Sequence, residues 1–407
     1  MEPDQLNAHA AEILQTLCIE IPTREVGTAG NRRAADYFAD TIAMYDFETS
    51  RQEFDCLEWV HGAAELSVEG ESYQVQISPY SLGCSLHAPL ATVETAAELA
   101  SVDLNDKILL LHGEIAREQL MPKNFPFYNP EHHQEIFHLL EEKAPLAIIS
   151  ATSRNPETAG GVYPFPLIED GDFNIPTATM TDLEGERLLK AAGGVATLRI
   201  DSQRVPAKGY NVIARRGTQM DRRVVICAHI DAKPNTPGAI DNGTGVTVLL
   251  LLAELLQGYG GKLGVEIVAL NGEDHYSAAG QKLYLQENAE QLTDIVLVVN
   301  LDGVGYFEGL TEYSYYGCPA EIEGVVERVF SNYSELKPGE QWYQGDHMIF
   351  AMNGRPALAI TSQYFLETFN DITHTPRDHP GIVDINKLAP IARALASFIT
   401  ELDWSTS

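Results

Sequence analysis

The rhythm of apolar and polar positions changes twice along the chain. Over residues ~5 to ~45, apolar side chains recur at helical spacing on two segments, with Ile13, Leu14 and Leu17 on the first and Ala34, Ala35, Phe38 and Ile42 on the second. The break between them reads "IPTREVGTAGNR", and "FETSRQEF" then alternates as a strand does. From ~60 to ~205 the texture is short strand-like runs ("AELSV", "YQVQI", "KILLLHG", "LAIIS", "ATLRI") between polar loops, with helical spacing only over Pro130 to Lys143 and Asp182 to Ala192.

After ~206 strand and helix alternate. The strands are "NVIARR", "RVVICAHI", "GVEIVALN", "DIVLVVNLDG" and "PALAITS"; the helices are Gly245 to Gln257, Ser277 to Glu290, Pro319 to Ser331 and Val383 to Leu402. Nearly continuous apolar strands between helices predict an α/β fold: a mixed, mostly parallel sheet covered by helices on both faces. The two changes of rhythm predict a catalytic domain of residues 1–58 and 206–407, interrupted by a β-rich inserted domain over 59–205.

Composition narrows the partners. The chain has 407 residues, with 27 basic against 58 acidic side chains, a formal net charge of −31. Such a balance argues against nucleic acid and anionic membrane as partners and favours cationic ligands, free amines included. The five cysteines, Cys18, Cys56, Cys84, Cys227 and Cys318, are scattered without C-x-x-C spacing, so neither a disulfide framework nor a cysteine zinc site is implied. No apolar run reaches the ~18 residues of a membrane span, and no signal peptide is visible, so the expected location is cytoplasmic. Oligomeric state is not readable.

One loop contradicts its surroundings. "CAHIDAKPNTPGAIDNGTG", Cys227 to Gly245, places one His and two Asp between two apolar runs. Buried charge is costly unless it is paired or bound to a metal. His229 and Asp231 end one strand, Asp241 follows in the loop, Glu273 and Asp274 end the next strand, Asp302 ends the third, and His374 follows the last. Ligand sites of open α/β sheets gather beyond these carboxyl ends. Singly, each residue has a bland explanation: turn or cap chemistry for Asp241, Glu273, Asp274 and Asp302, and a satisfied core position for His229. Together, two His and several carboxylates form the mixed nitrogen and oxygen set that zinc accepts, with one carboxylate to spare, which fits a two-metal hydrolase. The neighbouring His132 and His133 read as a solvated helix start.

The pieces "AHID", "GAIDNGTG", "NGED", "NLDG" and "HTPRD", in this order, resemble the di-zinc aminopeptidase family that includes bacterial leucyl-type aminopeptidases and glutamate carboxypeptidase II. "PTREVGTAGNRRAADYFADTI" resembles that family's opening helices, and "DLNDKILLLHG", "EEKAPLAIIS" and "IPTATMTDLEGERLL" resemble its protease-associated domain. The resemblance implies a zinc-peptidase fold and two zinc or other divalent ions. It would place His229 and Asp302 on one ion, Asp274 and His374 on the other, Asp241 between them, and Glu273 as general base. Asp231 would orient the imidazole of His229 as a second-shell carboxylate, and Asp346 of "GDH" would buttress His374.

Two departures stand out. Asp274 occupies a position usually held by Glu, and Thr373 one often held by Tyr, leaving oxyanion stabilisation to the metals, Thr373 or Tyr364. The implied activity is release of N-terminal residues from peptides with a free N-terminus. Alternatives are a dipeptidase, carboxypeptidase or amidase on the same scaffold, a single-zinc glutaminyl cyclase, or a non-catalytic binding relative. The aromatic segment Gly305 to Pro319 is expected either to border the side-chain pocket or to pack against the insert.

Overall fold

The computed structural model describes residues 3–21, 23–125, 129–152, 166–365 and 371–405. The chain divides into two compact units, Met1–Cys56 with Lys208–Ser407, and Leu57–Ala207. It opens with helices α1 (Pro3–Gln15) and α2 (Ala29–Ala43) and enters the long strand β1 (Glu48–Val68). Thr28 starts α2 where it does, because its hydroxyl accepts the Asn31 N–H at 3.1 Å.

The Leu57–Ala207 unit follows. Its elements are β2 (Glu71–Tyr73), β3 (Gln76–Ile77), β4 (Cys84–Val93), α3 (Ala96–Ser101), β5 (Ile108–Leu111), α4 (Glu131–Lys143), β6 (Ala147–Thr152), β7 (Thr177–Thr181) and α5 (Asp182–Leu189). β4, β5, β6 and β7 pair in parallel in that order, and β3 closes the edge antiparallel to β7. Leu109, Leu111, Ile136, Phe137, Leu140 and Ile148 share its core. The unit therefore carries more parallel sheet than a merely β-rich reading suggests.

The chain returns through β8 (Val195–Arg216). The other unit then runs β9 (Gln219–His229), α6 (Thr244–Leu255), β10 (Leu263–Leu270), α7 (Ala279–Glu287), β11 (Ile295–Leu301), β12 (Thr311–Tyr316), α8 (Ala320–Phe330), β13 (Leu336–Pro338), α9 (His347–Ala351), β14 (Ala357–Ser362) and α10 (Leu388–Ser405). Its strand order is β13-β12-β14-β11-β9-β10-β8. The four central strands β14, β11, β9 and β10 are parallel, whereas β12 and β8 run antiparallel to their inner neighbours. The sheet is thus mixed and mostly parallel, as expected.

Strand alternation sorts side chains to two faces. Val224, Ile226, Val265, Ile267, Leu297, Val299, Leu358 and Ile360 join α1, α2, α6, α8 and α10 in one core. Glu266 has the opposite parity and receives the Tyr284 hydroxyl of α7 at 2.5 Å, while Phe350 of α9 packs on Tyr284, with ring centroids 5.5 Å apart. Helices therefore cover both faces. α6 is buried from Thr244 through Glu254 because helices and sheet surround it, which explains its almost uninterrupted apolar sequence.

Two elements differ from the sequence reading. The aromatic segment after Asp302 contains β12, whose Tyr313 and Tyr316 are buried, Tyr313 against Phe330 of α8 at 5.1 Å between ring centroids. Alternation in β12 sends these two rings to opposite faces: Tyr313 packs on α8, and Tyr316 lies against His347, with ring centroids 4.5 Å apart. The last helix begins at Leu388, later than Val383, after short turns over Pro380–Ile382 and Ile385–Lys387. No helix among the described residues is long and apolar enough to cross a membrane.

Candidate metal centre

Every residue singled out after the strands lies at or beyond a strand's carboxyl end. β9 ends at His229, β10 at Leu270, β11 at Leu301 and β14 at Ser362. The structure brings the side chains together. His229 Nε2 is 3.0 Å from Asp241 Oδ1 and 3.7 Å from Asp302 Oδ1. His374 Nε2 is 3.0 Å from Asp241 Oδ2 and 3.0 Å from Asp274 Oδ1. The two oxygens of Asp241 are therefore divided, one to each histidine.

Local chemistry builds each position. Gly238 adopts the left-handed φ of +60°, and a Cβ there would meet the Asp241 carbonyl at 2.6 Å, so only glycine allows the turn that returns Asp241. The Asn242 amide donates to Leu301 O at 2.7 Å and its Oδ1 accepts the Gly245 N–H at 3.1 Å. This ties the residue after Asp241 to the residue before Asp302 and starts α6. Asp378, fully buried, accepts the Ile240 N–H at 2.6 Å and the Asp241 N–H at 3.0 Å. Burial raises its carboxyl to about 7, with the charge of Asp241 adding to the rise and the two N–H bonds opposing it.

Glu273 and Asp274 do not lie on strand backbone. They occupy a turn after β10 that opens with Gly272 at φ +129°. Asp231 shapes the turn, accepting the Gly272 N–H at 2.7 Å and the Asp274 N–H at 3.0 Å. That also corrects the role expected for Asp231. His229 Nδ1 is 3.2 Å from the Asp231 backbone carbonyl and 3.8 Å from its carboxylate. The backbone, not the carboxylate, sets the imidazole. Asp346 likewise does not pair with His374: its Oδ1 receives the Gln281 amide at 3.0 Å, and the charges that act on it are those of His229, Asp231 and Asp302. α9 carries it to the His229 end of the cluster.

The electrostatics follow from burial and crowding. For His229, burial opposes the charged form, but Asp241 and Asp302 outweigh it and hold the imidazole well above its usual range. For His374 burial again opposes, and Asp274 and Asp241 push it up to about 10. Burial works to raise Asp241, yet hydrogen bonds from both histidines hold it well below the usual carboxylate range. Burial raises Asp302 against the pull of His229. Glu273 is partly accessible and lies well above the ordinary range, through burial first and then the like charges of Asp274, Asp302 and Asp346, against the pull of His229.

These atoms fit a divalent cation. A carbonyl can only accept, so His229 Nδ1 carries a proton toward Asp231 O; Nε2, facing Asp241 and Asp302, holds the second proton that their charge favours, at the place a divalent cation would take. Asp274 Oδ2 is buried without a hydrogen-bond partner. Carboxylate oxygens crowded around imidazole nitrogens in a buried site suit a cation, and ligand atoms of His229, Asp241 and Asp274 lie within 4.8 Å of one another.

An aromatic pair beside the cluster escaped the sequence reading. Trp342 and Phe365 have ring centroids 4.5 Å apart. A Cβ on Gly345 would lie 2.9 Å from the Trp342 ring and 3.0 Å from Asp302 Oδ2. The Trp342 backbone is held at both ends: its N–H meets the Tyr316 hydroxyl at 2.7 Å, and its carbonyl meets His347 Nε2 at 2.9 Å. Thr373 is buried beside His374, and Tyr364 is 38% exposed.

Known structures share this architecture. The aminopeptidase from Aneurinibacillus sp. strain AM-1 superposes with a TM-score of 0.75 at 20% identity, over 98% of this chain and 93% of that one. BSAP, a zinc aminopeptidase from Bacillus subtilis, does so with a TM-score of 0.74 at 20% identity, over 97% and 95%. The fold is the one these aminopeptidase structures share. Residues 211–399, which carry all seven residues named from the strand ends, match Peptidase family M28. Among curated relatives, the probable lipoprotein aminopeptidase LpqL of Mycobacterium tuberculosis is 24% identical over 82% of this chain, and a probable leucine aminopeptidase 2 of Aspergillus fumigatus is 27% identical over 74%. The chain spans 67% and 60% of those relatives' own lengths.

Proposed function

We propose that this protein is a metal-dependent aminopeptidase that holds two zinc or other divalent ions, with His229 and Asp302 on one, Asp274 and His374 on the other, and Asp241 shared. The observation that carries this reading is the division of Asp241: each oxygen stands 3.0 Å from a different histidine. The family of residues 211–399 and the named relatives support the reaction class.

When bound, such ions supply Lewis acidity toward water and toward a scissile carbonyl. The chain's own groups do the rest. Asp241 offers one negative charge to both positions. Asp231, through its hold on the Gly272 and Asp274 amides, keeps Glu273 facing the cluster. Glu273 takes the proton of the attacking water at its carboxylate and returns it to the leaving amine nitrogen. Its negative charge, with the acidic surroundings, also suits a cationic α-amine. The Leu57–Ala207 unit is assigned as a protease-associated domain without chemistry of its own.

The test is elemental analysis together with peptide assays on the purified chain. About two zinc per chain, and chelator-sensitive release of N-terminal residues from free-amine but not N-blocked peptides, are expected. Equal cleavage of N-blocked peptides would redirect the reading to another amidase or peptidase on this scaffold, and a chain that binds no metal would sink it.

A further inference from the structure

Arg24 lies between α1 and α2 and is 2% exposed. Its guanidinium is a rigid planar fork of N–H donors that stays charged. Burying that charge is costly unless every donor is answered. Here backbone carbonyls take four of its five N–H groups. Nε donates to Ile230 O at 3.0 Å, Nη1 to Leu17 O at 2.8 Å and Pro237 O at 2.7 Å, and Nη2 to Gly238 O at 2.7 Å. Ile230 directly follows His229, and Gly238 shortly precedes Asp241. One side chain therefore grips both ends of the loop that separates these two residues. The fit is close: a Cβ on Gly238 would stand 2.7 Å from Arg24 Nη2.

Asp378 answers from the other side. Its carboxylate takes the N–H groups of Ile240 and Asp241, and its own carbonyl takes that of Ala239 at 3.3 Å. A cation thus collects the carbonyls before the turn, and an anion collects the amides after it.

We infer that Arg24 and Asp378 are positioning residues that clamp the 230–241 loop and set the separation of His229 from Asp241. Arg24 lies outside the family segment 211–399, so the site is completed by the N-terminal helical segment. The inference rests on the reading of the cluster as a metal centre. Groups that orient ligands without touching the ion change metal affinity by about 10–100-fold.

The test measures zinc affinity of the full chain by competition with a chromogenic chelator, alongside thermal unfolding of the chelator-stripped protein. The variants are Arg24→Lys, Asp378→Asn and, for comparison, Arg216→Lys. Arg216 also donates to carbonyls, those of Tyr259 at 2.8 Å and Tyr45 at 2.8 Å, but ties no part of the site. Lysine keeps the charge yet presents one point donor in place of a fork. Arg24→Lys and Asp378→Asn are expected to weaken zinc binding by about 10–100-fold. Arg216→Lys is expected to lower only the unfolding temperature. Unchanged affinity in folded Arg24→Lys and Asp378→Asn overturns the clamp, as does an equal loss in Arg216→Lys. If Arg24→Lys does not fold, Asp378→Asn decides alone. A wild-type chain without zinc overturns the metal centre itself and the clamp with it.

Discussion

Among the described residues, two sets of histidines and acids have ligand-like spacing, and they behave in opposite ways. One is His229, Asp241 and Asp274; the other is Glu118, His132 and His133 in the Leu57–Ala207 unit. His133 is not the solvated residue its sequence suggested, since only 4% of it is exposed in the first turn of α4. Its Nδ1 accepts the Met121 N–H at 3.1 Å, which leaves the proton of the neutral ring on Nε2, the nitrogen 3.4 Å from Glu118 Oε1. A protonated Nε2 offers no lone pair to a cation. His132 Nε2 lies 3.0 Å from the same Glu118 oxygen, and Glu118 is held below its usual range by His132 first. At the other cluster, His229 Nδ1 faces the Asp231 carbonyl, and Nε2 is left facing two carboxylates, Asp241 and Asp302, at the place a cation would take. Proximity of His and acid is common to both; the hydrogen bond on the far side of the ring decides which set calls for a metal.

The contrast can be broken most severely at Glu273. Glu273→Gln is expected to lower kcat/KM by about 10²–10⁴-fold while zinc content stays at the wild-type value, because a general base contributes that much without touching the ion. Unimpaired peptide release by that variant would remove the proposed mechanism. Asp241→Asn should come next. Losing the shared charge is expected to reduce zinc content measured on the dialysed protein, and retention of full content would deny that Asp241 serves both positions.

A third histidine sharpens the comparison through pH. His347 is buried with both ring nitrogens engaged, Nδ1 by the Asn300 amide at 3.3 Å and Nε2 by Trp342 O at 2.9 Å. Burial lowers it to about 4, against the pull of the Trp342 carbonyl, so it folds neutral. The unfolded chain takes up a proton near pH 6.5, which the folded chain refuses until about pH 4. Stability should therefore fall as pH drops through this window, by about 3 kcal/mol for this group. Denaturant titrations of His347→Gln should show a flatter fall; an identical slope would contradict the neutral assignment. The smallest expected effect is at His132→Ala: zinc content unchanged and stability within about 0.5 kcal/mol. Loss of zinc there would mean that the surface set binds metal after all.

The strand ends, and the polar residues on them, were legible because each signal is local. Apolar runs of strand length marked β9, β10, β11 and β14, and a charge placed directly after such a run is conspicuous whatever it touches. The turn holding Glu273 and Asp274 was read as strand because its residues follow an apolar run without a Pro to stop it. Only Gly272 signalled the turn, and its φ is visible in three dimensions alone.

What the sequence by itself determined is the class of sheet and the identity of the charged residues at its carboxyl ends, since hydrophobic period and residue type are properties of neighbours in the chain. Only the tertiary structure decided who holds whom. Arg24 reaches carbonyls 206 and 214 residues away, Asp378 reaches amides 138 and 137 residues away, and Asp346 turned out to serve the His229 end rather than His374. Backbone carbonyls and amides are the same in every residue, so partnerships made through them leave no mark on residue type, and the folded chain alone brings them into contact.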